Sequence, residues 1–159
     1  MNKLNFAKNK TSAMIALLAL FLVVLGCSAE KPAAPPTEAE AQTLVKNTMS
    51  EFADAVDKND FKSFRTNMAK EFQAQYTDEQ LKSTFKVFTD QKEDFVPILR
   101  DAAKKNLTFS PAFAVEEESG YSVMTTAGTI DSEPQPIKIN NKYVYQDGKW
   151  KLLKIDVKF

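Results

Sequence analysis

Histidine is absent from this chain of 159 residues, and cysteine occurs once, at Cys27. Those two counts exclude His-dependent triads, Cys–His dyads, imidazole-ligated metals and structural zinc. Charge of one sign is also missing: 21 basic residues balance 21 acidic ones. With no long Lys/Arg block, the clustered positive charge that nucleic-acid binding needs is not evident. What is present suits a folded body. Hydrophobic residues make up 43% and charged residues 26%, enough apolar material to bury a core. The length fits one domain of ordinary size rather than two.

The N-terminus reads as an address. Lys3, Lys8 and Lys10 precede an uncharged apolar run of 13 residues, Ala13 to Leu25. As a helix that run is about 20 Å long, short of the roughly 30 Å hydrocarbon core, so a cleaved leader over residues 1–26 is expected rather than a permanent span. It ends in Val24-Leu25-Gly26-Cys27, which resembles the bacterial lipobox: aliphatic, tolerant, small, then Cys. Leu25 is bulkier than the usual occupant of the tolerant position. The resemblance implies a diacylglyceryl group on the Cys27 thiol, cleavage after Gly26, and a further fatty acyl chain such as palmitate on the freed amine. Two or three chains anchor stably where one does not. Ser28 follows, and in lipoproteins of a Gram-negative source the lack of Asp there implies the outer membrane, facing the periplasm. Cleavage would leave 18 basic against 21 acidic residues, so the lipid is the only membrane contact the sequence makes evident.

Residues 27–36 then form the lipidated Cys and an Ala/Pro tether, stiffened by proline toward polyproline II. Residues 37–159 are read as a single α+β domain. Thr37-x-x-Glu40 is a capping box, and Ala41, Leu44, Val45, Met49, Phe52, Ala53 and Val56 recur at helical spacing, predicting a helix over about 38–58. Asn59-Asp60 stops it and opens a shorter helix with Phe61, Phe64 and Met68 on one face. Thr77-x-x-Gln80 opens a third, with Leu81, Phe85 and Phe88 inward. A further helical piece is expected over Val96 to Lys105, with Pro97 in its first turn.

After Asn106 the period changes. Phe109 to Val115, broken by Pro111, reads as an irregular edge strand. Tyr121 to Ile130 is a strand rich in β-branched residues. Ile137, Ile139, Tyr143 and Tyr145 alternate with polar residues up to Asp147-Gly148, a two-residue hairpin turn. That turn pairs Tyr145 with Trp150 and Tyr143 with Leu152, but beyond Leu152 the apolar phase slips by one. An extra residue near Leu152-Leu153 restores Ile139 to Val157 and Ile137 to Phe159, so a β-bulge is predicted there.

Helices first and an antiparallel sheet last predicts helices packed on one face of a curved sheet. This order, Asn59-Asp60-Phe61, and the ending Tyr143-x-Tyr-x-Asp-Gly-Lys-Trp-Lys-Leu-Leu-Lys-Ile-Asp-Val resemble the nuclear transport factor two-like superfamily, which includes ketosteroid isomerase-like domains. The resemblance covers roughly residues 38–159 and implies a cone-like, cystatin-like architecture, with a homodimer through the sheet face.

The shorter chemical patterns have plain explanations. Ser83-x-x-Lys86 lacks the companion motifs of the Ser–Lys enzymes, so a solvent face is expected. Asp57-x-Asn59-x-Phe61 starts like a calcium loop but offers no oxygen at Phe61. Glu116-Glu117-Glu118 alternates across a strand and cannot converge on a cation. The ketosteroid isomerase-like resemblance implies a cofactor-free enzyme with a carboxylate in an apolar cone, with Tyr or Asn donors. The candidates are Asn141, Tyr143 and Tyr121. Asn141 lies in the apolar phase of its strand and needs a partner, whether a ligand or a structural one. No Asp or Glu holds such a position, so no general base can be named. The expectation is therefore an envelope lipoprotein, without cofactor or metal, whose non-enzymatic domain binds a partner protein or a small apolar ligand; the enzyme is the alternative. Discriminating the two needs one observation, a buried Asp or Glu beside Tyr or Asn.

Overall fold

The computed structural model describes residues 34–159; the leader and Cys27 lie outside the described residues. Thr37 caps the first helix, α1 (Glu38–Lys58), as a full capping box: its hydroxyl accepts the Glu40 N–H at 3.3 Å and the Glu40 carboxylate accepts the Thr37 N–H at 2.7 Å. Ala41, Val45, Met49, Phe52 and Val56 form its buried stripe. Asn59 ends it in the left-handed region at φ 48°, a conformation asparagine tolerates.

Four short helices follow: α2 (Lys62–Thr66), α3 (Lys70–Gln75), α4 (Asp78–Thr84) and α5 (Lys86–Asp90). The sequence reading did not anticipate α3. It has no side-chain cap and a single buried residue, Phe72; its end is held from α2, where Arg65 Nη2 donates to the Gln73 carbonyl at 2.6 Å. Thr77 caps α4 with Gln80 as predicted, but the third helix divides at Phe85 instead of running on. The last helix, α6 (Lys92–Ala102), begins earlier than predicted. Pro97 is therefore inside it rather than in its first turn, with Glu93 and Asp94 at its positive end.

The strands are β1 (Leu107–Phe109), β2 (Ala114–Glu118), β3 (Tyr121–Ile130), β4 (Ile137–Gln146), β5 (Lys149–Lys154) and β6 (Val157–Lys158). All pairings are antiparallel. The long β3–β4 hairpin is the spine; β1 and β2 share the outer side of β3, and β5 and β6 share the outer side of β4. The expected irregular strand is thus two strands, interrupted around Pro111.

The bulge stands where the phase slip put it. Tyr143 faces Leu152, Lys142 faces Lys154, and Leu153 is the extra residue; Ile139 then faces Val157. On the other edge Gly128 lies beneath β1, and a Cβ there would stand 2.0 Å from the Thr108 carbonyl oxygen. Gln42 joins α1 to β1: its amide nitrogen donates to the Leu107 carbonyl and its oxygen accepts the Leu107 N–H, both at 2.8 Å.

The main core lies between the helices and one sheet face. Phe52 is its aromatic hub, within 4.8–6.5 Å of the rings of Phe61, Phe64, Phe85 and Phe88. The aromatic pairs of the short helices are therefore packing. Ala69, Val123 and Val144 form a small second cluster with Leu153 on the opposite sheet face.

Candidate functional site

Two places in the domain carry chemistry beyond apolar packing. The first is a buried polar cluster between α1 and the sheet. Tyr143 and Asn141 share the inner face of β4 with Ile139, which turns both side chains toward the helices. Both are buried, at 1% and 0% exposure. The Tyr143 hydroxyl lies 2.9 Å from Thr48 Oγ1 on α1. Thr48 in turn donates to the Leu44 carbonyl, so Tyr143 is left as the donor to Thr48. Asn141 Nδ2 reaches the Tyr143 oxygen at a long 3.5 Å, and Asn141 Oδ1 accepts the Asp156 N–H at 3.2 Å. Burial pushes the Tyr143 phenol up to about 12, against the opposing pull of Thr48 and Asn141. Thr126, opposite Asn141, is fully buried; its hydroxyl adds a weak pull on the Tyr143 phenol but makes no well-formed hydrogen bond among the described residues.

Asn141 thus holds the turn between β5 and β6, the structural partner its position in the apolar phase called for. The structure brings Asn141 and Tyr143 together and puts Tyr121 elsewhere: that residue begins β3, is 41% exposed, and faces Glu118 across the β2 pairing. Among the described residues the buried polar side chains are Thr48, Thr126, Ser132, Asn141 and Gln146, with no Asp or Glu among them. The carboxylate beside Tyr or Asn that a ketosteroid isomerase-like site would require is not found in this interior.

The second place is an open groove of about 720 Å³ between the start of α1 and the tip of the β4–β5 hairpin. Pro36, Thr43 and Leu44 line one side, and Tyr145 and Trp150 the other. The paired rings of Tyr145 and Trp150 meet edge to face at 5.4 Å, a rigid apolar wall. Glu40 and Lys149 put one charge of each sign along the lining. The Thr37 N–H and hydroxyl hold the Glu40 carboxyl below its usual range, so it is an anion at neutral pH. The volume falls within the 300–1,000 Å³ typical of small-ligand sites. The sequence pairs Tyr145 with Trp150 but gives no sign of a groove, which exists only because α1 starts against the hairpin tip.

The remaining motifs are accounted for. Ser83 and Lys86 are exposed and separated by the break at Phe85. Asp57 meets Lys92 and Arg100, the latter at 2.7 Å. Glu116 and Glu118 are exposed on β2. Among the described residues no group of His, Cys, Asp and Glu is arranged to hold a metal, and no helix is long and apolar enough to cross a membrane. No protein family, curated protein or solved structure matches this chain.

Proposed function

We propose that this chain is a membrane-anchored cell-envelope lipoprotein whose domain is a non-enzymatic binding module, using the groove at the start of α1 to take a small apolar ligand or an apolar segment of a partner protein. The observation that carries this reading is the groove itself, an apolar concavity walled by Tyr145 and Trp150. The anchor rests on the resemblance of Val24-Leu25-Gly26-Cys27 to a lipobox. The finer architecture we infer is the cone of the nuclear transport factor two-like superfamily. Helices before sheet, helices on one sheet face and the bulge at Leu153 support it; fold alone would not assign an activity.

The test has two arms. Metabolic labelling with palmitate is expected for the native chain and lost in Cys27→Ser; labelling of that variant overturns the anchor. A photoreactive benzophenone side chain at Thr43, inside the groove, is expected to capture one apolar molecule or one protein in intact envelopes. The same group at Ser63, by the opposite end of α1, serves as the control. Identical adducts from both positions, or none at Thr43, overturn the binding role.

A further inference from the structure

The outer face of the sheet collects the lysines of residues 138–159 on one side. Residues directly opposed across an antiparallel pair project to the same face, and β4 sends Lys138, Asn140, Lys142 and Val144 away from the helices. Val144 packs in the small second cluster rather than in the main core, which fixes that side as the outer one. The register places Lys158 opposite Lys138, Lys154 opposite Lys142, Lys151 opposite Val144 and Lys149 opposite Gln146. Six lysines of three strands therefore share one face.

Acidic groups share this face, Glu116 and Glu118 from β2 by register and Glu71 through its bond to Gln146, but they pair only some of the lysines. Lys142 meets Glu118, Lys151 meets Asp147, and Lys158 meets Asp156 at 3.4 Å. Lys138, Lys149 and Lys154 are exposed and make no ion pair among the described residues. Two directly opposed lysine pairs, Lys138–Lys158 and Lys142–Lys154, cost the sheet stability where a mixed pair would add to it. The lysine excess is confined to the last three strands, since residues 34–106 are nearly balanced at 11 basic and 13 acidic residues. Residues 34–136 hold 11 basic and 18 acidic residues, whereas residues 137–159 hold 6 lysines and 2 aspartates.

The position of the tether says what this face meets. Ala34, Pro35 and Pro36 line the groove together with Gly148 and Lys149, so the chain enters the domain beside the end of the lysine face. Cys27 precedes Ala34 by seven residues, at most about 25 Å of fully extended chain. We infer that the outer sheet face docks on anionic phospholipid headgroups of the membrane that anchors the chain, so that the domain is oriented as well as tethered. Lipid and basic face then act as the two signals that together hold a protein firmly on a bilayer. Orientation with the sheet toward the membrane leaves the helical layer facing away from it. The inference rests on the lipid-anchored reading for the tether, and on the register alone for the face.

The full chain is reconstituted into vesicles of phosphatidylcholine alone or of phosphatidylcholine with phosphatidylglycerol, and its amines are acylated and mapped by mass spectrometry. Lys138, Lys149, Lys154 and Lys158 are expected to react more slowly, on the order of fivefold, on the anionic vesicles. Lys62 and Lys82, exposed on the helical side, should be unchanged. Protection should vanish in about 0.5 M salt, where screening shortens to a few ångströms. The double variant Lys138→Glu/Lys154→Glu changes only exposed side chains; it should keep its ellipticity and lose protection at Lys149 and Lys158. Equal reactivity on both lipids overturns docking, as does protection that depends on protein concentration rather than lipid charge, which would assign the face to a second copy. The same digests show whether Cys27 is acylated. Protection without acylation sinks the anchor but supports docking, and acylation without protection does the reverse.

Discussion

The Tyr143 hydroxyl meets Thr48 Oγ1 at 2.9 Å and so joins the middle of β4 to the middle of α1 within the core. The bond carries a pH dependence whose direction is fixed. Burial raises the phenol to about 12, whereas an unfolded tyrosine ionises near 10. Stability from this group is complete below pH 10 and is lost as pH rises through 12, by about 3 kcal/mol. Denaturant unfolding followed from pH 8 to 12 should show that decline, and Tyr143→Phe should flatten it. Absorbance near 295 nm gives a second readout: of the four tyrosines, one should ionise only as the chain unfolds. Ionisation of all four in the folded state would contradict the sealed position of Tyr143.

Thr126 predicts a gain instead of a loss. Its buried hydroxyl makes no well-formed hydrogen bond and pulls only weakly on the Tyr143 phenol, so the isosteric change Thr126→Val removes a desolvation penalty that this weak contact does not offset. We expect stabilisation by about 1 kcal/mol, read as a higher denaturation midpoint with an unchanged slope. A destabilised variant would mean that the hydroxyl is bonded in solution.

Gly128 predicts the opposite sign. Its φ of 154° and the 2.0 Å approach of a Cβ to the Thr108 oxygen leave no room for a side chain. Gly128→Ala should cost about 3 kcal/mol or more and free β1 first. Hydrogen exchange at Ser110, whose N–H is bonded to the Ala127 carbonyl, should accelerate ahead of global unfolding. Wild-type protection in the variant would refute the close approach.

Phe52 is the ring shared by both aromatic pairs of the short helices. Phe52→Ala should lose about 3–5 kcal/mol, while Phe52→Leu, which keeps most of the volume, should lose less than half of that. Thermal melts of the two variants side by side test the ranking; equal losses would mean that the hub is filled by relaxation.

Features set by a short stretch of chain were legible in the sequence. Both capping boxes stand as the Thr-x-x-Glu and Thr-x-x-Gln spacings require, and the bulge at Leu153 follows from a one-residue slip between apolar phase and hairpin register. Asn141 could be flagged as a polar group needing a partner, but the Asp156 amide that satisfies it depends on the bend beyond the bulge. Helix α3 was not legible because Phe72 is its sole buried residue and its end is fixed by Arg65 from another helix. Pro97 misled the reading of α6, since a proline normally marks a first turn and here the helix tolerates it later. The groove and the lysine face belong to tertiary register: the groove joins residues 34–44 to residues 145–150, and the lysines, though close in sequence, are set on one side only by the pairing of β4 with β5 and β6.

Both outer strands of the sheet are broken, at Pro111 between β1 and β2 and at the bend between β5 and β6, and the Ala69 amide already occupies the Leu152 carbonyl. A passing chain therefore finds no long, straight row of vacant backbone groups to zip onto. On the proposed lipid anchor, which would confine many copies to two dimensions, that interruption would guard against edge-to-edge polymerisation.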